Sequence, residues 1–147
     1  MIFREIDIES IYEIKILKDL EKECFGNGGI DEWVLRPFAR YGKIIVLENN
    51  GEIISFAELF KIWDENAAYL YSFGTKKSYQ RNGFGKKLLE YIIDYCKNAS
   101  IEKIKLTVAH ENDSALCLYK SLGFKKIKNL ENEYGIGIHR CLMEIIL

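Results

Sequence analysis

One run in the chain has the residue types and spacing to hold an anionic group: Tyr79-Gln80-Arg81-Asn82-Gly83-Phe84-Gly85-Lys86-Lys87-Leu88-Leu89. A β-rich stretch, Tyr69 to Thr75, leads into it. An amphipathic pattern leaves it, with Leu88, Leu89, Ile92, Ile93 and Cys96 on one stripe and Lys86, Lys87, Glu90, Asp94 and Lys97 off that stripe. The spacing predicts a strand, a short polar turn and the first turn of a helix. A helix start presents unpaired backbone N–H groups and the positive end of a dipole, which together attract anions. Gly83 and Gly85 carry no Cβ, so a ligand can approach the backbone closely. Arg81, Lys86 and Lys87 add side-chain charge. This is the chemistry of a diphosphate cradle. The dinucleotide fingerprint fails because its third glycine would fall at Leu88. The P-loop also fails, since it needs four residues between its glycines and then Gly-Lys-Ser/Thr.

Two further sets of residues invite a chemical reading. Asn112, Ala115 and Tyr119 are spaced i, i+3, i+7 and share one helix face. Spacing alone leaves two accounts open, a capping asparagine beside a core tyrosine or a functional pair. Glu58 interrupts the apolar run Phe56-Ala57-Glu58-Leu59-Phe60. A carboxylate there either has a buried partner and a perturbed pKa or faces solvent, because the period-two register is ambiguous. His110 and Glu111 read as solvated loop residues.

The elements that must position these residues follow from pattern. Residues 1–7 read as a strand. Residues 10–24 read as a helix capped by Ser10, with Glu13 as its capping-box partner. Cys24 to Gly29 is a loop, and Asp31 caps a short helix to about Tyr41. Pro37 in that helix predicts a late or irregular start. Ile44 to Leu47 is a strand, Asn49-Asn50-Gly51-Glu52 a hairpin turn, Ile53 to Trp63 a strand and 67–75 another. After the glycine turn come a helix (83–98), a strand from Ile104 to Ala109, and a helix from Asn112 to Leu122 that Gly123 stops. A strand from Phe124 to Lys128, a loop from Asn129 to Gly137 and a strand over 138–147 complete the chain. This β-α-α-β-β-β-α-β-α-β-β order predicts an α/β mixed sheet with helices on both faces.

Composition sets outer bounds. With 147 residues, 48% hydrophobic and 29% charged, the chain reads as one globular domain, residues 1–147. A net charge of −1 gives no electrostatic case for nucleic acid or an anionic membrane surface. No apolar run approaches the length of a membrane span, and the start, Met1 to Asp7, is charged and strand-like rather than a signal peptide. Cys24, Cys96, Cys117 and Cys141 are scattered with no Cys-x-x-Cys pair, which points to reduced core thiols, a cytoplasmic setting and no metal site. Trp33, Trp63, Tyr69 and Tyr71 read as core residues, with the lining of a pocket as the alternative. The last strand, apolar at Cys141, Met143, Ile145 and Leu147, is the expected route to a homodimer.

The run Gln80-x-x-Gly83-x-Gly85 matches Gln/Arg-x-x-Gly-x-Gly/Ala, and here the chain resembles the GNAT N-acetyltransferase family. Asn112-x-x-Ala115-x-x-x-Tyr119 followed by Leu122-Gly123-Phe124 is similar to that family's second signature, in the right order and spacing. The resemblance covers residues about 44–128, and Tyr134 to Met143 also resembles the family's loop into its last strand. It implies a mostly antiparallel sheet of six to seven strands flanked by four helices. It also implies transfer of an acetyl group from acetyl-CoA to a primary amine by direct attack, with a small-molecule or peptide acceptor. By residue-wise carry-over, the backbone of Phe73, Gly74 and Thr75 would pair with the pantetheine arm like an added strand. Arg81, Asn82, Gly83, Phe84, Gly85 and Lys86 would hold the pyrophosphate, and Asn112 would bond the pantetheine region. Tyr119 would sit by the sulfur, where a phenol of pKa about 10 can donate to a departing thiolate whose conjugate acid lies near 8.5. A non-catalytic acyl-CoA-binding or protein-interaction module on the same fold is the alternative reading.

The acceptor amine must lose a proton, because an alkylammonium is neutral only about one time in 10³ at neutral pH, a handicap of roughly 4–5 kcal/mol. Members of the family place a glutamate on the fourth strand or on the fifth for this purpose. This chain has Tyr69 and Thr107 at those positions, so Glu58 is the catalytic carboxylate expected here.

Overall fold

The first helix begins where Ser10 accepts a hydrogen bond from the Glu13 N–H at 3.2 Å. The computed structural model describes all 147 residues. Its elements are β1 (Ile2–Glu5), α1 (Ile11–Phe25), α2 (Glu32–Tyr41), β2 (Lys43–Asn49), β3 (Glu52–Lys61), β4 (Ala67–Thr75), α3 (Phe84–Asn98), β5 (Lys103–Val108), α4 (Asp113–Ser121), β6 (Lys125–Leu130) and β7 (Arg140–Ile146). Short 3-10 turns lie at Gly26–Gly28 and Lys77–Tyr79. The strands form one seven-stranded sheet in the order β1-β2-β3-β4-β5-β7-β6. The β1–β2, β2–β3, β5–β7 and β6–β7 pairs are antiparallel. Element type and order agree with the sequence reading throughout.

Packing divides the chain into two units, Met1–Phe60 with Leu70–Ile92 and Lys61–Tyr69 with Ile93–Leu147. In the first, β2 and β3 pair Ile44 with Glu58 and Val46 with Phe56, so these four residues share a face. Ile14, Leu17 and Leu20 of α1 and Leu35 of α2 pack there, in one cluster with Ile44, Val46 and Phe56. The other face carries Phe3, opposite Leu47, and the Phe3 ring stacks on Tyr91 of α3 at 4.7 Å. Helices therefore cover both faces of the sheet in this unit. Arg4 joins the start of α1 to β2, bonding Glu13 at 2.8 and 3.0 Å and Glu48 at 2.8 and 3.0 Å. The β2–β3 turn has positive φ at both Asn50 (52°) and Gly51 (78°), as a two-residue hairpin turn matching strand twist requires.

In the second unit Ile104, Leu106 and Val108 are buried, and the latter two lie opposite the buried Met143 and Cys141. On the reverse face of β5, Lys105 bonds Glu65 at 2.6 Å. β7 has β5 on one side and β6 on the other.

Four expectations need correction. The capping box is half made: the Glu13 carboxylate accepts from the Asp7 N–H at 2.8 Å and from Arg4, leaving the Ser10 N–H to the Asp7 carbonyl. α2 starts at Glu32, directly after its Asp31 cap, and continues through Pro37. Trp33 and Trp63 are surface residues, 85% and 99% exposed, because Trp33 falls on the outer side of α2 and Trp63 just beyond the end of β3. Dimerisation through the edge of the last strand is not available, because β6 occupies it. Of the cysteines, all free, Cys96 and Cys141 are buried, Cys24 is half-buried and Cys117 is exposed.

A Cβ at Gly74 would lie 2.8 Å from both Cys24 Sγ and the Phe56 ring. Gly74→Ala should therefore cost about 1–3 kcal/mol of stability by overpacking, read as a lower denaturant midpoint at unchanged slope.

Candidate active site

The glycine turn is built from the end of β4. Lys76 N–H bonds the Ile54 carbonyl at 2.8 Å, and the Ser55 hydroxyl bonds the Gly74 carbonyl at 2.8 Å. The Gln80 amide donates to the Thr75 carbonyl at 2.9 Å, and the Asn82 amide folds back to the Gln80 carbonyl at 3.1 Å. Glu52 anchors the stretch from the hairpin, bonding Lys76 and accepting from the Tyr79 hydroxyl at 2.7 Å. The Tyr79 ring meets Phe84 edge-on at 5.9 Å. Then φ becomes positive at Arg81 (61°) and again at Gly83 (80°), the kind of alternation that turns successive N–H groups to one side. α3 follows at Phe84, with the Lys87 N–H the first to find a helical acceptor, Gly83 O at 3.1 Å. The N–H groups of Phe84, Gly85 and Lys86 have no carbonyl one turn back.

The two glycines have different duties. A Cβ at Gly83 would meet nothing within 4 Å, so this glycine serves the positive φ and leaves open space in front of the helix. A Cβ at Gly85 would lie 3.0 Å from the Phe73 ring and 3.1 Å from Thr75 Oγ1, so this glycine lets the helix sit close on β4. The packing duty of Gly85 leaves its backbone N–H at the helix start, beside that of Phe84.

In the second unit Asn112 caps α4, its side-chain oxygen accepting from the Ala115 N–H at 3.2 Å. Tyr119 is 7% exposed, its ring centroid lies 5.7 Å from that of Phe124, and burial pushes its phenol up to about 12. A phenol held that high is a proton donor at neutral pH. The two positions that lack a glutamate come together: Tyr69 and Thr107 hydroxyls lie 3.0 Å apart, and the Tyr134 hydroxyl lies 3.3 Å from Thr107. Burial raises the Tyr69 phenol despite its Thr107 hydrogen bond, so this hydroxyl keeps its proton at neutral pH. Sequence reasoning singled out Tyr69 and Thr107 only as departures, and gave Tyr134 no role. Nothing in the chain signals that a loop phenol should reach a β5 threonine.

Glu58 is not on a solvated face. It is 0% exposed, and burial, then the charge of Glu21, raises its carboxyl well above the usual range. An acid in that state already carries its proton at neutral pH, which disfavours the role of catalytic base expected from sequence. Glu21 was missed, although it sits with Leu17, Leu20 and Cys24 at i, i+3, i+4 and i+7 on the apolar stripe of α1, where an acidic residue is out of place.

Comparison with known proteins gives the class. The model of the acetyltransferase (GNAT) family matches residues 13–124, and the chain belongs to that family. The [Ribosomal protein bS18]-alanine N-acetyltransferase of Escherichia coli K12 is 35% identical over 88 residues, which are 60% of this chain and 58% of that one. The match thus spans less than two thirds of that relative's length. The protein of the same name from Haemophilus influenzae is 33% identical over 128 residues, 87% of this chain and 82% of that one. Among solved structures, an aminoglycoside 6'-N-acetyltransferase complexed with coenzyme A superposes with a TM-score of 0.84 at 17% identity, covering 99% of this chain and 97% of that one. That structure supports the fold. No helix is long and apolar enough to cross a membrane.

Asn112→Ala removes the α4 cap and should cost about 1 kcal/mol of stability. Thermal unfolding of the variant beside the parent chain measures it.

Proposed function

We propose that this chain transfers an acetyl group from acetyl-CoA to a primary amine. The observation that carries the proposal is the loop opening α3, where positive φ at Arg81 and Gly83 and open space at Gly83 accompany helix-start amides without helical acceptors, in a stretch that carries Arg81, Lys86 and Lys87. These residues fit a diphosphate, and membership of the family makes the diphosphate of coenzyme A the ligand to expect. Bound there, acetyl-CoA supplies an activated acyl group. The Gly74 and Thr75 carbonyls already accept hydrogen bonds within the chain, from Ser55 and Gln80. Each retains a second lone pair, so bonding to the pantetheine arm at Phe73, Gly74 and Thr75 remains compatible with the fold.

In the reaction, a neutral amine attacks the thioester carbonyl, a C–N bond forms and the C–S bond breaks. The family pattern puts Tyr119 by the sulfur. Burial keeps its phenol protonated at neutral pH, so it can offer the departing thiolate a hydrogen bond, while a pKa near 12 makes full proton transfer to a thiolate uphill. For the amine's own proton, we assign the Tyr69–Thr107–Tyr134 hydroxyls. Hydroxyls pass a proton by accepting and donating at once, so none of them need ionise, and the proton would pass on to solvent. The relatives' names make an alanine-terminated peptide the first acceptor to try, with aminoglycosides and free polyamines beside it.

Three measurements test this. Tyr119→Phe should lower turnover about tenfold or more with little change in acetyl-CoA affinity; an unchanged rate removes the phenol from the chemistry. Gly83→Val, forced into a positive φ that β-branched residues avoid, should abolish coenzyme A binding in calorimetry, and normal affinity would refute the cradle. Finally, thiol release should depend on added amine. A module that binds acyl-CoA without transferring it would release none.

A further inference from the structure

Glu58 has both carboxyl oxygens buried and no donor to either. A carboxylate so placed is strongly disfavoured, because neither water nor a hydrogen bond compensates its charge. Its neighbour Glu21, 1% exposed, is in the opposite condition. Glu21 Oε1 accepts from the Ser72 hydroxyl at 2.5 Å, and Oε2 accepts from the Ile30 N–H at 3.0 Å. Two donors favour the ionised form there. The two acids meet where the sheet face of Ile44, Phe56 and Glu58 packs on the Leu17 and Leu20 stripe of α1 that carries Glu21, and each perturbs the other's titration. The hydrogen bond left to Glu58 is one it donates, as a protonated acid, to the Glu21 carboxylate.

We propose that Glu58 and Glu21 share a single proton in the core, and that this acid–carboxylate bridge is a positioning device. It ties β3 to α1. Through the Ser72 bond it reaches β4 one residue before Phe73, and through the Ile30 bond it fixes the loop that enters α2 at Asp31. The β4 segment flanks Phe73, assigned above to the pantetheine arm, but the bridge itself stands independently of the acetyl-transfer reading.

The surroundings determine its response to pH. Around the pair are Cys24, three residues after Glu21 on α1, Ser72 from β4, Ile44 opposite Glu58 on β2, and Ile30 from the loop. Glu58 is raised by burial and then by Glu21. Glu21 is raised by burial, against the bonds from Ser72, Ile30 and Glu58. The folded chain therefore keeps a proton that the unfolded chain releases once pH passes the ordinary carboxylate range. Stability must then fall as pH rises through neutrality, by about tenfold in the folding equilibrium constant per pH unit while one proton separates the two states. This slope ends when pH reaches the pKa of the folded pair.

Infrared spectroscopy and denaturation of the full chain test the bridge without measuring turnover. At neutral pH the protein should show a protonated-carboxyl C=O stretch that Glu58→Gln removes. The Gln amide still donates to Glu21, so Glu58→Gln should keep the Ile30 amide protected from exchange while flattening the stability–pH slope. Glu58→Ala, which deletes the donor, should speed exchange at Ile30 about tenfold or more. A parent protein with no such band at neutral pH, or a Glu58→Gln variant with the parent's slope, overturns the proposal. Should Glu58→Gln not fold, titration of the band in the parent decides: persistence through neutrality supports the shared proton, and loss before it refutes it.

Discussion

An anion can be held at the head of α3 only if the helix start is fixed from behind and left open in front. Close contact of Gly85 with Phe73 and Thr75 does the first, and the vacant space at Gly83 does the second. The two conditions conflict for any residue with a side chain. A Cβ at 85 would push the helix off the strand, and one at 83 would strain the backbone where φ is +80°. The rest of the first unit supports this arrangement. Gly74 packs on Cys24 and Phe56, Ser55 and Gln80 hold the strand-end carbonyls, and Glu52 holds Lys76 and Tyr79. Amides preorganised in this way cost little reorganisation when charge arrives, which is why a turn of this kind can serve a large, flexible ligand.

On the proposed reading, the second unit would meet an acid–base task without an acid or base of matched pKa. At the two positions where the family resemblance leads one to look for a carboxylate, Tyr69 and Thr107 form a hydroxyl pair that Tyr134 extends. A carboxylate would accept the amine's proton outright. A hydroxyl chain only conducts it, so the driving force must come from water beyond the site.

Glu58 illustrates how the same carboxyl group changes meaning with its surroundings. On a solvated strand face it would be an ordinary charge. Buried beside Glu21 it becomes a neutral acid, because two adjacent charges away from water repel and neither is solvated. The register that decides between these, Ile44 opposite Glu58 and Val46 opposite Phe56, is a property of strand pairing.

Local chemistry determined a good deal by itself. The Asn50-Gly51 turn, the Ser10, Asp31 and Asn112 caps, the stripe of α3 and the glycine pattern at 83 and 85 are short-range features, and each forms where the residues demand it. Short-range preference also gave the order of elements, since periods of two and 3.6 are visible within one segment. What depends on residues far apart in the chain was decided only by the tertiary structure. The exposure of Trp33 and Trp63, the packing duty of Gly85, the meeting of Tyr69 with Thr107 and Tyr134, and the pairing of Glu21 with Glu58 all depend on which face of an element meets which neighbour. No segment contains that information alone, because burial and electrostatic environment are set by partners that folding brings together.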